Sequence, residues 1–481
     1  MIGSRSWTLG RAVGTVMLLL MAPLPVHGQR WTLDETMRAQ IDETFSFIGR
    51  DAPGCAVGVV QDGQLAYAKG YGLANLDWGV PITASTVFDI GSVSKQFTAA
   101  ALALLDIEGV LSLDDLVQEW IPELPAYEKP VTIRHLLNHT SGVRDYLTLM
   151  RLANIDYANV FDEFDGVEMI TRQQALNFDP GSEYLYSNSG YLLLANIVRR
   201  ATGQSLREFL EERVFDPLGM AHTSIWDLNT EIVPERAMGY SGGDGDWRIN
   251  HAWNFQMGGD GQVITSVEDL VRWDANFYDP TVGRQPFLDR MHTRGILNSG
   301  DTIRYALGLN VGEYKGVRRV QHGGSWAGFR AQLARYPDQH TTVVVLCNRS
   351  DANLGGRANL IADIVLADEL EEPVAEAGGA EAEAGRSSDA EQTVEPPSLP
   401  MEGYAGRYRS SEIDVVYDIR AEDGGLSRHL DGESAPLTHV SGDVFAIGGI
   451  RLTFHTDGDS ADSFAVDAGR VTGIVFERES M

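Results

Sequence analysis

Lysine and cysteine are both scarce in this 481-residue sequence. Arginine supplies most of the basic residues, and the four lysines are Lys69, Lys95, Lys129 and Lys315. Acidic residues outnumber basic ones by 68 to 38, which gives a formal net charge of -30. A nucleic-acid surface requires a basic patch, so this balance argues against nucleic acid as a partner. A lysine inside an apolar stretch of such a chain therefore requires an explanation.

Long apolar runs are also scarce, and the run at the N-terminus has the features of a secretory signal. In "MIGSRSWTLGRAVGTVMLLLMAPLPVHGQRW" arginines precede an apolar stretch, and Val26 and Gly28 suit the −3 and −1 positions of a cleavage site. We therefore predict a signal peptide over residues 1–28 and a periplasmic or extracellular protein. An uncleaved anchor is the alternative, but the stretch is short for a membrane span, which needs ~20 apolar residues. After cleavage we expect no membrane span.

The two cysteines, Cys55 and Cys347, lie in the β-like runs "CAVGVV" and "TTVVVLCN". An exported chain meets an oxidising compartment, where a disulfide can form. Two buried, unpaired thiols fit the sequence equally well. The pairing is therefore left open.

Length and a hydrophobic content of 43% predict more than one domain. Residues 29–370 mix strand and helix patterns with strands at both ends, which predicts one α+β domain whose sheet joins its two ends. Residues 371–400 are rich in Ala, Glu, Gly and Pro, and we predict a disordered linker. Residues 401–481 show short alternating runs between turn signals, which predicts a small all-β barrel or sandwich.

Within the first segment several elements can be placed. "CAVGVVQDGQLAYAKGYG" predicts a hairpin that turns at Asp62-Gly63. "SVSKQFTAAALALLDIEG" predicts a helix that ends near Gly109, and because it is apolar nearly all round we expect it to be buried. "VRRVQHGG", "RAQLARYP" and "HTTVVVLCN" predict three strands, and "NLGGRANLIADIVLADEL" predicts a closing helix.

Ser92 and Lys95 form a Ser-x-x-Lys pair at the start of the apolar helix. If Ser92 opens that helix, the two side chains lie one turn apart on one face, and the hydroxyl sits at the positive helix end. Burial drives a lysine toward its neutral, basic form, which can activate a serine. The alternative is an ordinary N-cap serine beside a lysine that reaches toward solvent. The pair alone favours neither interpretation.

A second element, "FDPGSEYLYSNSGYLLLANIV", carries Tyr186-Ser187-Asn188 on a loop that enters an apolar helix. A phenol and an amide two residues apart can face one pocket there. Near a cationic lysine, Tyr186 could be held as a phenolate and serve as a base. By itself this element fits a core tyrosine and a capping asparagine better.

The third element, "VQHGGSWAGFRAQLARYP", places His322-Gly323-Gly324 at the end of a strand. The glycines would let a substrate approach the strand backbone closely, and so count as substrate-binding positions. The backbone N–H of Ser325 could act as an oxyanion donor, with His322 as a polar neighbour. A tight turn with a surface histidine is the alternative.

Five blocks in order, "FDIGSVSKQFTA", "TIRHLLNHTSGV", "PGSEYLYSNSGYLLL", "GGDGQVITSVEDLVRW" and "HGGSWAGF", resemble the superfamily of serine β-lactamases and penicillin-binding proteins. The likeness covers roughly residues 53–370 and is closest to the branch of class C β-lactamases, D,D-carboxypeptidases, D-aminopeptidases and related esterases. It implies a β-lactamase/transpeptidase-like α+β fold, with an antiparallel sheet flanked by helices and an all-helical region. The opening "MEGYAGRY" of the tail resembles the lipocalin-like β-barrel that often follows this hydrolase. That barrel would shape the active-site mouth, mediate association or be an appendage without function.

The resemblance also implies catalytic roles. Ser92 is the acylated nucleophile, Lys95 helps to deprotonate it, and Tyr186 serves as general base, protonates the leaving group and activates water. Asn188 orients Lys95 and the substrate, while the N–H groups of Ser92 and Ser325 form the oxyanion hole. How the base duty divides between lysine and tyrosine stays open.

One departure from the family pattern concerns the third block. His322 stands where true β-lactamases have a lysine, and Gly323 removes the hydroxyl at the middle position of that box. Because histidine is largely neutral near pH 7, a substrate carboxylate should bind less well. We therefore expect peptidase or esterase activity on a small molecule or peptide, ahead of efficient β-lactamase activity. A β-lactamase proper and a penicillin-binding sensor without turnover are the alternatives.

Two other patterns are rejected on the sequence. Tyr157-Ala158-Asn159 repeats the tyrosine–asparagine spacing but lacks the preceding Pro-Gly and the following apolar helix. His135 and His139 have the spacing of a zinc pair, but Leu136 stands where that motif requires glutamate. We therefore predict neither a metal nor another cofactor. The oligomeric state is left open.

Overall fold

The structure is a computed structural model that describes residues 33–243, 245–252, 254–371 and 394–480. The predicted signal peptide lies outside the described residues, as does most of the predicted linker. Among the described helices, none is both long and apolar enough to cross a bilayer.

The strands, numbered in chain order, have the following bounds: β1 Cys55–Gln61, β2 Gln64–Tyr71, β3 Leu73–Asn75, β4 Val80–Pro81, β5 Phe88–Asp89, β6 Phe161–Asp162, β7 Ser224–Ile225, β8 Tyr240–Gly243, β9 Asp246–Ile249, β10 Phe255–Gln256, β11 Val263–Thr265, β12 Asn310–Tyr314, β13 Val317–Trp326, β14 Phe329–Tyr336, β15 Thr341–Cys347, β16 Gly406–Ser410, β17 Val415–Glu422, β18 Gly425–Leu430, β19 Glu433–Ser441, β20 Val444–Ile447, β21 Ile450–Asp457, β22 Ser460–Asp467 and β23 Ile474–Arg478.

The helices have the following bounds: α1 Glu35–Thr44, α2 Lys95–Ile107, α3 Val117–Trp120, α4 Ile133–Leu137, α5 Tyr146–Leu152, α6 Glu163–Thr171, α7 Asn188–Thr202, α8 Leu206–Leu210, α9 Asp216–Leu218, α10 Val267–Ala275, α11 Arg284–His292, α12 Leu354–Val365 and α13 Met401–Tyr404, with 3₁₀ turns at Gly91–Ser94 and Pro337–Gln339 and a π turn at Glu211–Phe215.

The central sheet is antiparallel, with the strand order β12-β13-β14-β15-β1-β2. Because β1 pairs directly with β15, the two ends of the segment meet in one sheet, as predicted. The predicted hairpin is also present, and its turn residues Asp62 and Gly63 have φ values of 48° and 73°. Two consecutive residues with positive φ suit the twist of a two-residue hairpin. The predicted α+β class with an antiparallel sheet is confirmed.

Cys55, the first residue of β1, and Cys347, the last residue of β15, are bonded to each other. They are directly opposed residues of β1 and β15, and both are fully buried. The disulfide therefore joins two residues that are 292 positions apart in the sequence. The question that the sequence left open is thus answered in favour of a pair.

Helix α2 runs through the core between the sheet and the helical region, and its residues from Lys95 to Leu105 are all buried. This burial agrees with the prediction from its sequence, since a helix with apolar side chains on all faces is expected to be buried. The start of the predicted helix differs in detail, because Ser92 lies in the 3₁₀ turn Gly91–Ser94 that precedes α2. The helix ends at Ile107, and Gly109, with φ +69°, follows it.

Strands β16 to β23 form a closed, eight-stranded antiparallel barrel. Its core combines aromatic side chains with a larger number of aliphatic ones, and it also contains Leu149 and Leu152, which belong to helix α5 of the larger part. Residues 394–400, which the sequence placed in the linker, lie against this barrel. Within them, the backbone N–H of Ser398 donates to Asp443, and Leu399 packs on the barrel core.

Polar contacts fix the barrel on the larger part of the chain. Arg144 forms an ion pair of 2.8 Å with Glu412 of the barrel, and these side chains are 2% and 11% exposed. The hydroxyl of Tyr417 donates to the carbonyl oxygen of Leu152 at 2.7 Å. Removing one partner of a buried ion pair leaves an unpaired buried charge, which is costly. The barrel is therefore held in a defined position against α5.

Candidate active site

A cavity with a volume of about 590 Å³ lies where the Gly91–Ser94 turn meets strand β13. All the sequence-predicted site residues except Lys95 line it, and Lys95 lies directly beneath Ser92. Three sequence elements that are far apart along the chain therefore meet at one place: residues 92–95, 186–188 and 322–325. Aromatic side chains supply much of the remaining wall, namely Tyr146, Phe255 and Trp326.

The amine of Lys95 faces three oxygen atoms. Its Nζ lies 3.2 Å from Ser92 Oγ, 2.9 Å from Asn188 Oδ1 and 2.6 Å from the carbonyl oxygen of Asp260. Two of these oxygens can only accept hydrogen bonds. A neutral amine would therefore direct its two N–H groups at Asn188 and Asp260, which leaves its lone pair for the hydroxyl of Ser92.

Asn188 owes its orientation to Asp145. The same carboxylate oxygen of Asp145 accepts the backbone N–H of Asn188 at 2.7 Å and its side-chain amide at 2.9 Å. The amide nitrogen is therefore committed to Asp145, so the amide oxygen must face Lys95. Asn188 is the first residue of α7, and the backbone N–H groups at a helix start have no partner within the helix, so a carboxylate suits this position.

Burial changes the protonation of Lys95. Its side chain is inaccessible to solvent, and this desolvation lowers its pKa to about 8, although the charges of Asp260 and Asp145 oppose the shift. A lysine with such a pKa is partly neutral near neutral pH and can accept a proton. The alternative of a lysine that reaches toward solvent is therefore wrong.

Tyr186 is a neutral phenol in this arrangement. Burial raises its pKa well above 10, and the neighbouring Ser92 hydroxyl opposes this in part. Within the described residues its hydroxyl has no hydrogen-bond partner, and Lys95 Nζ lies 4.9 Å from the centre of its ring. The phenolate that the sequence suggested for Tyr186 is therefore not favoured in the resting site.

His322 is also neutral, and both of its ring nitrogens are engaged. Nδ1 lies 2.7 Å from the carbonyl oxygen of Gly323, which can only accept, so Nδ1 carries the proton. Nε2, 2.9 Å from the Tyr305 hydroxyl, then accepts from it. Burial, together with the charge of Lys95, lowers the pKa of His322 to about 4. As the sequence predicts, His322 therefore supplies no permanent positive charge at this position.

Gly324 permits the closest approach between strand β13 and the Gly91–Ser94 turn. A Cβ atom at Gly324 would clash with the carbonyl oxygen of Ile90 and lie 3.1 Å from the backbone nitrogen of Ser92. From the other side, a Cβ at Gly91 would lie 2.7 Å from the backbone nitrogen of Ser325. The sequence predicts that both glycines bind substrate, and both line the cavity. Gly324 also lets the two backbone segments that carry the predicted oxyanion donors lie close together.

We expect Gly324→Ala to lower kcat about 100-fold on any acyl donor, because the strand must move away from the turn and separate the N–H groups of Ser92 and Ser325. Steady-state kinetics and thermal unfolding would measure the effect. Gly323→Ala is the matched comparison, since its Cβ would meet the flexible end of Gln332 at 3.0 Å, and its loss should stay below about 10-fold. Equal losses in the two variants would contradict this role for Gly324.

The rejected patterns have structural roles. His139 is buried against Tyr186, with ring centres 4.1 Å apart, and its Nδ1 accepts the backbone N–H of Ser187 at 3.2 Å. His135 caps its own helix through the backbone N–H of Thr132. The hydroxyl of Tyr157 donates to the carbonyl oxygen of Leu147 at 2.7 Å.

Sequence reasoning missed three contributors to the site. Asp145 orients Asn188, the backbone carbonyl of Asp260 holds Lys95, and Arg470 reaches the cavity from the barrel. Asp260 lies within the block "GGDGQVITSVEDLVRW", and Asp145 follows "TIRHLLNHTSGV" after Arg144. Their positions were a possible signal, but their roles depend on contacts that no local pattern displays.

A model of the beta-lactamase family matches residues 33–367, which is well over half of the chain. The chain belongs to the beta-lactamase family. Its membership confirms the expected serine hydrolase. A second family, described as a domain of unknown function (DUF3471), matches residues 390–480, which include the whole barrel of this beta-lactamase-family protein.

Individual relatives match parts of the protein. Penicillin-binding protein 4* of Bacillus subtilis is 32% identical over 308 residues, which cover 60% of this chain and 67% of the relative. A D-aminopeptidase of Brucella anthropi is 32% identical over 298 residues, which cover 62% of this chain and 56% of the relative. The chain therefore spans little more than half the length of that D-aminopeptidase.

A solved structure extends the likeness to most of the chain. The octameric penicillin-binding protein homologue from Pyrococcus abyssi has a TM-score of 0.61 at 22% identity and covers 92% of this chain and 98% of its own. At that identity the match supports the fold alone.

Proposed function

We propose that this protein is an exported serine hydrolase that cleaves an amide bond in small peptides or amides of D-amino acids through an acyl-enzyme on Ser92. The observation that carries the proposal is the contact of Ser92 Oγ with a buried Lys95 amine, 3.2 Å away, whose other two neighbours can only accept. The D-aminopeptidase and penicillin-binding protein relatives support the substrate class. The predicted signal peptide and the disulfide support export.

Acylation begins with neutral Lys95. Its lone pair takes the proton of Ser92, and the serine oxygen attacks the carbonyl carbon of the substrate. The N–H groups of Ser92 and Ser325 stabilise the negative charge that develops on the carbonyl oxygen. In this assignment Lys95 is the general base that deprotonates Ser92 in acylation, because Tyr186 is itself protonated in the resting site.

Tyr186 then protonates the departing amine as the C–N bond breaks. The site now contains a phenolate at Tyr186 and an ammonium at Lys95, which stabilise each other across 4.9 Å between Nζ and the ring centre. The raised pKa of Tyr186 makes this phenolate a strong base. It removes a proton from the water that attacks the acyl group, and Lys95 returns its proton to the departing Ser92 oxygen, which restores the resting site.

The carboxylate of a β-lactam, on the carbon bonded to the lactam nitrogen, meets no cation at the β-lactamase lysine position, because His322 is neutral and already bonded to Tyr305 and Gly323. This supports peptidase or amidase activity ahead of efficient β-lactamase activity. Esters of small acids remain acceptable acyl donors, since the same nucleophile attacks them with a better leaving group.

A panel of substrates tests the proposal. We expect D-amino-acid p-nitroanilides and N-acetylated D-Ala-D-Ala to be hydrolysed well ahead of their L-counterparts, and p-nitrophenyl esters to be hydrolysed without strong stereochemical preference. A chromogenic cephalosporin should be hydrolysed slowly. Faster turnover of the cephalosporin than of every D-peptide and D-amide would overturn the proposed function in favour of a β-lactamase.

A further inference from the structure

The barrel inserts one of its loops into the catalytic cavity. Residues 468–473 connect β22 to β23, and Arg470 of this loop lines the same cavity as Ser92. The loop is fixed by its backbone. Asn177 donates its amide to the carbonyl oxygen of Arg470 at 2.9 Å and accepts the backbone N–H of Thr472 at 2.8 Å. Arg144 also donates to the carbonyl oxygen of Gly473 at 3.0 Å. Arg470 therefore occupies a defined place in the site.

The guanidinium of Arg470 lies 4.8 Å from the centre of the Tyr186 ring. In the part of the chain that the structure describes, it donates no hydrogen bond and forms no ion pair, and the residue is half-buried. Guanidinium groups bind carboxylates through two parallel hydrogen bonds. A fixed, partly desolvated guanidinium without an acidic partner, which faces a cavity, is suited to bind an anion.

The other charged groups that line the cavity are already engaged. The Asp260 carboxylate accepts the Tyr146 hydroxyl at 3.1 Å, and its charge acts on Lys95. The guanidinium of Arg330 donates to the carbonyl oxygen of Phe329 at 2.8 Å. Among the described residues, Arg470 is thus the permanent cation next to the predicted proton donor.

We propose that Arg470 binds a carboxylate on the leaving-group half of the acyl donor, so that the protein prefers peptides with a free C-terminal carboxylate. The inference rests on the proposed function, in which Tyr186 protonates the departing amine. Because Arg470 stacks on that same tyrosine ring, its guanidinium faces the departing half. In the reaction the amide C–N bond breaks, the acyl group joins Ser92, and the departing amino acid takes a proton from Tyr186 while its carboxylate stays paired with Arg470.

Two substrates that differ in one group test this directly: N-acetyl-D-Ala-D-Ala and its C-terminal carboxamide. We expect wild-type protein to have a higher kcat/KM for the acid. Arg470→Gln should lower kcat/KM for the acid by about 10- to 100-fold and for the carboxamide by less than about 3-fold. Arg470→Lys should restore part of the loss on the acid, since it returns the charge without the planar fork.

The control is Arg451→Gln, which removes the same charge from an exposed position of barrel strand β21 and should change neither rate. Equal losses on acid and carboxamide in Arg470→Gln would mean that Arg470 merely supports Tyr186, and would overturn the proposal. No loss on the acid would overturn it as well.

A second readout is independent of peptide turnover. Two aryl phosphonate esters that label Ser92, one of them with a carboxylate on the departing phenol, should react with wild-type protein at different rates, and Arg470→Gln should abolish the difference. An unchanged rate ratio would contradict the role of Arg470. If wild-type protein is neither labelled nor active, the proposed function fails, and the inference fails with it. Failure of the proposed function is thus seen in wild-type protein alone, whereas failure of the Arg470 inference is seen only when Arg470→Gln is compared with wild type.

Discussion

Ser92→Ala is expected to reduce kcat/KM on every acyl donor by about 10⁵-fold or more, to the residual level that substrate binding and the oxyanion hole supply. The size follows from the loss of the nucleophile itself, since groups that act as one unit lose nearly all of their effect when one member is removed. Steady-state turnover of a p-nitrophenyl ester and of a D-amino-acid p-nitroanilide would measure it.

The fold should survive this substitution. Ser92 is a cavity residue in the Gly91–Ser94 turn, and the hydroxyl that is lost has only Lys95 and Tyr186 as described polar neighbours. The melting temperature should therefore change by no more than a few degrees. Retained turnover in Ser92→Ala, with the fold intact, would mean that another residue is the nucleophile.

Lys95→Met is expected to lower kcat/KM by at least about 10³-fold, because the acylation base and the cation that stabilises the Tyr186 phenolate are lost together. Methionine keeps the length and the apolar stem of the side chain, and so suits a buried position at the start of α2. The carbonyl oxygens of Asn188 and Asp260 lose a donor, so thermal unfolding should accompany the kinetics.

The pH profile of wild-type protein provides an independent test of Lys95 as base. Its pKa is lowered to about 8 by burial, and the neutral form is the active one. Therefore kcat/KM should rise with pH through an apparent pKa near 8 and level off above it. His322, with its pKa lowered to about 4, cannot produce this rise.

Asp89 is a second described group near Ser92 with a shifted pKa. Burial raises its pKa to about 7, and it accepts the backbone N–H of Gly91 at 2.7 Å. The rise near pH 8 should persist in Asp89→Asn, whose amide cannot titrate. A wild-type profile that is flat from pH 6 to 9, or a rise that disappears in Asp89→Asn, would contradict the assignment to Lys95.

Much of the site was accessible from the sequence because each part of it is a short local pattern. Ser92 and Lys95 are three residues apart, Tyr186 and Asn188 two, and their order along the chain matches one family. The hairpin at Asp62-Gly63 was predictable for the same reason, since its geometry depends on two adjacent residues. Local spacing is what a sequence displays directly.

The parts that escaped prediction depend on contacts between distant segments. Asp145 reaches Asn188 across 43 residues. Arg470 contacts Tyr186 only because the barrel packs against α5. The pattern of short strands in the tail does not predict where the barrel packs. The neutral state of His322 follows from its two hydrogen-bond partners, and its sequence neighbours identify only one of them, Gly323. Protonation and tautomer are properties of the assembled site.

The central claim is that Ser92 carries an acyl group during catalysis. The most direct measurement is intact-mass spectrometry of the full chain after rapid acid quench with a slowly deacylating ester, followed by peptide mapping. The account predicts one acyl adduct per chain, located on the peptide that contains Ser92, and its absence in Ser92→Ala. An adduct on another residue, or substrate turnover without any adduct at Ser92 at the earliest times, would contradict it.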